Sequence, residues 1–235
     1  MNLHRNAPEY SINWSGYAVP AKSGEAIGAV RGSWLVPQIN GAPPGFSSSW
    51  IGIGGYETSD LIQVGTASSG YLERNYAWYE MLPEYAIPIT SGCAGDNSCA
   101  VAQGDRMAAS IDNVGGDTWV IMLANLGKGA VAKWHWAMTA TYKSSRSSAE
   151  WIFEAPQIGV GPVGVQTIPA NAPHAKFLGG DYAVNGITRP LARSDASRII
   201  MVLDYLGVVR TGTPSLMAPD GHFQVCAYKR TCPNF

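Results

Sequence analysis

No stretch of this chain holds a helical period for three turns. It holds a succession of short apolar or alternating runs, each ended by Gly, Pro, Asn or Ser. The runs at 17–19, 29–36, 49–53, 61–65, 76–81, 106–111, 118–123, 132–137, 148–154, 175–177, 198–203 and 222–225 read as strands. β-Branched and aromatic residues suit a pleated, half-buried surface, and the turn residues close each run off. Residues 169–172 are the best of a few brief helix candidates. Many short strands at regular spacing make an all-β sandwich or barrel. No linker, charge run or internal repeat marks a boundary, so residues 12–235 read as one domain behind a polar, loose segment, 1–11.

Composition narrows the function classes. Hydrophobic residues make up 46% of the 235 and charged ones only 14%, against about 25% charged in an ordinary soluble domain. With that apolar content, 27 Gly and 15 Pro mean turns rather than disorder. A net charge of −1 gives no footing for nucleic acid or an anionic membrane. No apolar run approaches the roughly 18 residues that span a bilayer. The opening Met1 to Tyr10 lacks the apolar region of a signal peptide; in a secreted protein the leader would have been removed or replaced by this Met. With every carboxylate protonated the fold would carry at most about +20, tolerable self-repulsion for this size, so the composition is compatible with an acid-stable protein.

Four cysteines fall in two equally spaced pairs, Cys93/Cys99 and Cys226/Cys232. Four allow three connectivities. Local pairing is the simplest, since each pair brackets a turn-like segment; zinc is the alternative, with no histidine cluster nearby to support it. Each small loop closed by a disulfide would contribute roughly 2–3 kcal/mol, and such bridges imply an oxidising compartment.

The carboxylates carry the chemistry, because the other machinery is missing. His4, His135, His174 and His222 are scattered, and there is no Gly-x-Ser-x-Gly elbow, His-x-x-x-His metal pair or phosphate loop. Neither a metal nor another cofactor is expected. In Ser148-Ala149-Glu150-Trp151-Ile152-Phe153-Glu154, alternation puts Trp151 and Phe153 on a core face and Glu150, Ile152 and Glu154 on the other. That second face reads as the floor of an active site, against the plainer reading of two solvated glutamates. Glu80 follows Tyr76-Ala77-Trp78-Tyr79, and Gln63 lies inside an apolar strand, where an amide either meets solvent or has a partner.

Several motifs in register resemble the glutamic peptidases (eqolisins, family G1, the pepstatin-insensitive acid proteases). They are Asn13-Trp14-Ser15-Gly16-Tyr17, Val30-Arg31-Gly32-Ser33-Trp34-Leu35-Val36-Pro37, Ser49-Trp50-Ile51-Gly52-Ile53, Leu61-Ile62-Gln63-Val64-Gly65, Tyr76-Ala77-Trp78-Tyr79-Glu80, Ser148-Ala149-Glu150-Trp151-Ile152 and the tail Asp220-Gly221-His222-Phe223-Gln224-Val225. The resemblance implies a sandwich of two antiparallel sheets, a lectin-like jelly roll with a concave substrate groove. It implies a secreted, monomeric endopeptidase acting on proteins and peptides in acid. It places the catalytic pair on Gln63 and Glu150, and substrate-binding groups on Trp14, Trp50, Trp78 and Glu80. Glu154, further along the same face as Glu150, is the other candidate acid.

The chain departs from the family at Gly54, where fungal members typically carry Asp. Asn13-Trp14-Ser15 is formally a glycosylation sequon, which a groove position for Trp14 argues against. The expected chemistry is a Glu carboxylate of ordinary pKa, about 4.3, taking a proton from water and passing it to the leaving amine, with Gln as oxyanion donor. The rival reading is a β-sandwich glycan-active protein, a glycosidase or lectin-like binder, with Glu80 and Glu150 as its two carboxyls.

Overall fold

The computed structural model of the chain describes residues 7–71, 74–129, 132–159, 164–204 and 209–235. Its strands are β1 (Glu9–Ser11), β2 (Trp14–Pro20), β3 (Ile27–Leu35), β4 (Phe46–Gly54), β5 (Leu61–Ser69), β6 (Arg74–Met81), β7 (Ile87–Ile89), β8 (Arg106–Gly115) and β9 (Thr118–Gly127). The later ones are β10 (Trp134–Thr141), β11 (Ser148–Glu154), β12 (Gln157–Ile158), β13 (Val165–Gln166), β14 (Ala175–Val184), β15 (Ile187–Pro190), β16 (Ser197–Val202), β17 (Arg210–Pro214) and β18 (His222–Ala227). A single 3-10 turn at Leu191–Arg193 is the only helical element among the described residues. The helix candidate at 169–172 is irregular chain; Pro169 opens it, and a proline amide cannot donate to a helix.

Sixteen strands form one hydrogen-bonded path, β10-β9-β8-β3-β14-β18-β17-β16-β2-β11-β4-β5-β6-β7, with β1 and β15 attached to β16 and β14. All its pairings are antiparallel except β1 with β16. The path folds back on itself, so that β3, β8 and β14 pack across β4, β5 and β11. This is the expected two-layer sandwich. Trp151 donates from β11 to the Arg31 carbonyl of β3 (3.0 Å), and Trp34 from β3 to Thr66 of β5 (2.9 Å). Both indoles are fully buried between the layers with their N–H groups satisfied. The main core also takes Phe153, Ile51, Ile53, Ile62 and Val64, the inward side of the alternation. Where β14 turns into β15, Asn185 and Gly186 both have positive φ (48° and 81°), the two-residue hairpin that an Asn-Gly pair favours.

The outward side of β2, β11, β4, β5 and β6 builds a second, smaller cluster of Ala18, Trp50, Leu61, Ala67, Trp78, Ile152 and Ile199. This apolar bed is interrupted by the carboxyl and amide groups described below. The opening segment is not loose throughout. Glu9–Ser11 pairs in parallel with Ile199–Met201, and the Ser11 hydroxyl accepts from the backbone N–H groups of Asn13 (3.3 Å) and Trp14 (3.1 Å), turning the chain into β2. Residues 1–6 lie outside the described residues. Both local disulfides are present, Cys93–Cys99 and Cys226–Cys232.

Candidate active site

A cleft of about 350 Å³ opens over the second cluster. Strand register explains who reaches it. Gln63 of β5 stands opposite Glu80 of β6 on one side and Gly52 of β4 on the other, and Gly52 stands opposite Glu150 of β11. Glu154 is four residues beyond Glu150, about 13 Å along the strand at roughly 3.3 Å per residue, and pairs with Ser48 of β4 and Trp14 of β2. By rows alone Glu150 would be the partner of Gln63.

The side chains around the row are arranged differently from its backbone pairing. Gly52 has no side chain, and Leu61 Cδ1 and Trp50 Cζ3 close over it, each 2.9 Å from where a Cβ would stand. They fill the space over the glycine that lies between Glu150 and Gln63 in this row. Glu150 is fully buried, is not part of the cleft lining, and neither of its oxygens has a hydrogen-bond partner. Burial drives its carboxyl well above the usual range; the Ser148 hydroxyl acts the other way without reaching hydrogen-bond geometry, and the charge of Asp60 adds to the rise.

Glu154 lines the cleft together with Gln63, Trp14, Trp78 and Glu80. Its Oε1 accepts from Trp14 Nε1 and Asn13 Nδ2 (3.1 Å each), and its Oε2 from Trp50 Nε1 (2.7 Å). One edge stays open to the cleft while the carboxyl is enclosed by these three donors. Burial pushes its pKa up to about 7, opposed by the Trp50 hydrogen bond and reinforced by the negative charge of Glu80, with Trp14 and Asn13 opposing. Gln63 is 3% exposed, and its Nε2 donates to Glu80 Oε2. Burial raises the Glu80 carboxyl too, against hydrogen bonds from Gln63 and the Ala86 backbone.

Of the expected substrate-binding residues, Trp14, Trp78 and Glu80 border the cleft and Trp50 does not. Trp50 is fully buried beneath it, edge-on to Trp14 at 5.0 Å, and acts by holding Glu154. Beyond its place in a formal sequon, Asn13 serves the site: its side-chain nitrogen, the atom a glycan would take, is bonded to Glu154. At Gly54 φ is +85°, and a Cβ would lie 2.8 Å from both the backbone oxygen and Oδ2 of Asp60. Asp60 therefore fills the space beside this glycine. It accepts from the Ser145 N–H (2.6 Å) and Ser144 Oγ (3.2 Å). Burial acts to raise its carboxyl, but hydrogen bonds from Ser145, Thr58 and Ser144 outweigh it and leave the pKa below the ordinary value. Among the described residues no group of three or more His, Cys, Asp or Glu side chains could hold a metal ion.

A family model described as the peptidase A4 family matches residues 12–187. The chain belongs to the peptidase A4 family. The family makes it a hydrolase of peptide bonds and sets aside the glycan-active alternative. Solved structures of A4-type enzymes share the fold. Scytalido-glutamic peptidase with a transition state analog inhibitor superposes with a TM-score of 0.75 at 18% identity, over 92% of this chain and 98% of that one. SCP-B, a member of the eqolisin family in complex with the tripeptide Ala-Ile-His, gives 0.70 at 17% over 92% and 98%. Aspergilloglutamic peptidase from Aspergillus niger gives 0.57 at 19% over 78% and 99%. No protein of curated function matches the chain.

Proposed function

We propose that the protein is a secreted acid endopeptidase whose working pair is Gln63 and Glu154, with Glu150 a buried structural acid. The observation that carries this is placement: Gln63 and Glu154 line one cleft, and Glu150 does not. Local disulfides support the secreted reading. A cleft that holds an acidic pair between indoles suits an extended peptide, the kind of ligand carried by SCP-B.

The raised pKa changes the part Glu154 plays. With its pKa at about 7, Glu154 enters the reaction protonated throughout the acid range, not as the carboxylate of ordinary pKa expected from the sequence. One carboxyl oxygen gives its proton to the peptide carbonyl oxygen while the other takes a proton from the attacking water. A neutral gem-diol forms and Glu154 ends the step protonated. In the second step Glu154 protonates the amide nitrogen and takes a proton from a gem-diol hydroxyl as the C–N bond breaks, releasing acid and amine. No net charge is created on a carboxyl that its surroundings keep neutral. Gln63 receives a hydrogen of the attacking water on Oε1 and steadies the carbonyl oxygen with an N–H. An amide does not titrate, so this support is present at any acid pH.

The test is cleavage of denatured haemoglobin or casein against pH. Activity is expected to hold in the acid range and to fall as Glu154 loses its proton around pH 7. Pepstatin, complementary to a two-carboxylate dyad, should leave it untouched. Gln63→Ala should lose about 10²–10³ in turnover, the usual effect of removing one oxyanion donor. Inhibition by pepstatin, or a Gln63→Ala variant with more than about a tenth of the original turnover, would overturn the reading.

A further inference from the structure

The contact between Gln63 and Glu80 does more than line the cleft. The two residues stand directly opposite each other on β5 and β6, and Gln63 Nε2 donates to Glu80 Oε2. The Glu80 oxygen that meets Gln63 is the acceptor of this contact, whereas an amide has one accepting and one donating end. The contact therefore decides which way the amide lies: nitrogen towards Glu80, Oε1 away from it. Gln63 Oε1 is buried and has no hydrogen-bond partner in the protein, and the same is true of Trp78 Nε1 in the same cleft wall. Buried polar atoms are nearly always paired, so an unpaired acceptor and an unpaired donor in one cleft wall call for an explanation. Here they are groups kept for the reacting water and the substrate. The second N–H of the Gln63 amide is likewise left over once the first is given to Glu80.

Resting on the Gln63/Glu154 reading, we propose that Glu80 is a positioning residue for the reaction: it fixes the amide of Gln63 so that an acceptor faces the attacking water and a free N–H faces the oxyanion. The family resemblance puts Glu80 among the substrate-binding groups. Its Oε2 is already engaged by Gln63, so its effect on substrate runs through that amide. Without Glu80 the amide would rotate between two orientations of similar energy, and only one of them serves the chemistry.

The test is a double-mutant cycle on the whole chain, with kcat and KM measured separately on a peptide substrate in acid and thermal melts as the folding control. Glu80→Ala should lower kcat by about 10- to 100-fold, part of the 10²–10³ lost with an oxyanion donor, with KM little changed. In a Gln63→Ala background, Glu80→Ala should cost nothing further, because residues acting as one unit are not additive. Glu80→Gln, which keeps a carbonyl acceptor, should recover most of the lost kcat. It should also move the alkaline fall of activity to lower pH, since the charge of Glu80 acts to raise Glu154. A purely structural role would give additive losses and no such shift. Additive losses, or a change confined to KM, would overturn the proposal. If Gln63→Ala is itself active, the Gln63/Glu154 reading has failed. If Gln63→Ala is inactive while Glu80→Ala keeps the original kcat, the role of Glu80 alone has failed.

Discussion

At the scale of single residues, two glutamates on one strand face meet opposite surroundings because of their neighbours. Glu150 and Glu154 share the outward side of β11, and alternation alone could not separate them. Three N–H groups turn Glu154 towards the cleft, while Leu61 and Trp50 close the row above Glu150. Trp50 is the residue through which this can be tested. Its N–H favours the ionised form of Glu154, so Trp50→Phe, which keeps an aromatic ring and removes the donor, should raise the pKa of Glu154. The alkaline fall of activity should then move to higher pH, with a stability loss of about 1–3 kcal/mol for the smaller buried ring. A pH–activity profile of the variant that is unmoved, or moved to lower pH, would show that Trp50 does not hold the carboxyl.

At the scale of elements, the strands were legible because periodicity and turn residues act locally. β4, β5, β6 and β11 fall where the apolar runs at 49–53, 61–65, 76–81 and 148–154 place them. Gln63 and Glu80 were legible as polar breaks in those runs. Which glutamate meets the cleft was not, because it depends on which rows of four strands lie level and on which side chains lean over a glycine. The signal that puts Glu154 at the cleft is its pairing with Trp14 across β2, and that register is not written in either strand by itself. The short strand β1 was missed for a similar reason: three residues carry too little periodicity to read. Gly65 makes the point experimentally. A Cβ there would lie 2.5 Å from both the Ser49 carbonyl oxygen and Trp50 Cβ, so β4 and β5 approach closely only because residue 65 is glycine. Gly65→Ala should destabilise the fold by about 1–3 kcal/mol. It should also lower kcat by displacing the indole that holds Glu154. A variant with a lowered melting temperature and unaltered kcat would separate the strand contact from the site.

At the scale of the molecule, the buried acids set a direction for stability against pH. Glu80, Glu150 and Glu154 are all raised, chiefly by burial. A carboxyl raised in the folded state binds its proton more tightly there than in the unfolded chain. Its contribution is therefore fully present below the unfolded value of about 4.3 and is lost as pH climbs through the folded one. Asp60 and Asp105 work in the opposite sense. Burial acts to raise each, yet hydrogen bonds, with Lys133 and Asn125 as partners in the case of Asp105, leave both below their ordinary value. Their contribution is lost only as pH falls through those lowered values. The melting temperature should accordingly be higher near pH 4 than near pH 8, and Glu150→Gln should flatten the decline. A melting temperature that rises from pH 4 to pH 8 would contradict this. The low charge content of the chain acts in the same direction, limiting self-repulsion in acid.

The most direct test of the working pair compares Glu154→Gln with Glu150→Gln, as turnover of a denatured protein in acid with melting curves alongside. The expected result is a folded Glu154→Gln with turnover down by at least about 10², and a Glu150→Gln that keeps most of its activity. An active Glu154→Gln beside a folded but inactive Glu150→Gln would contradict it, and would return the catalytic role to the glutamate that the structure places outside the cleft.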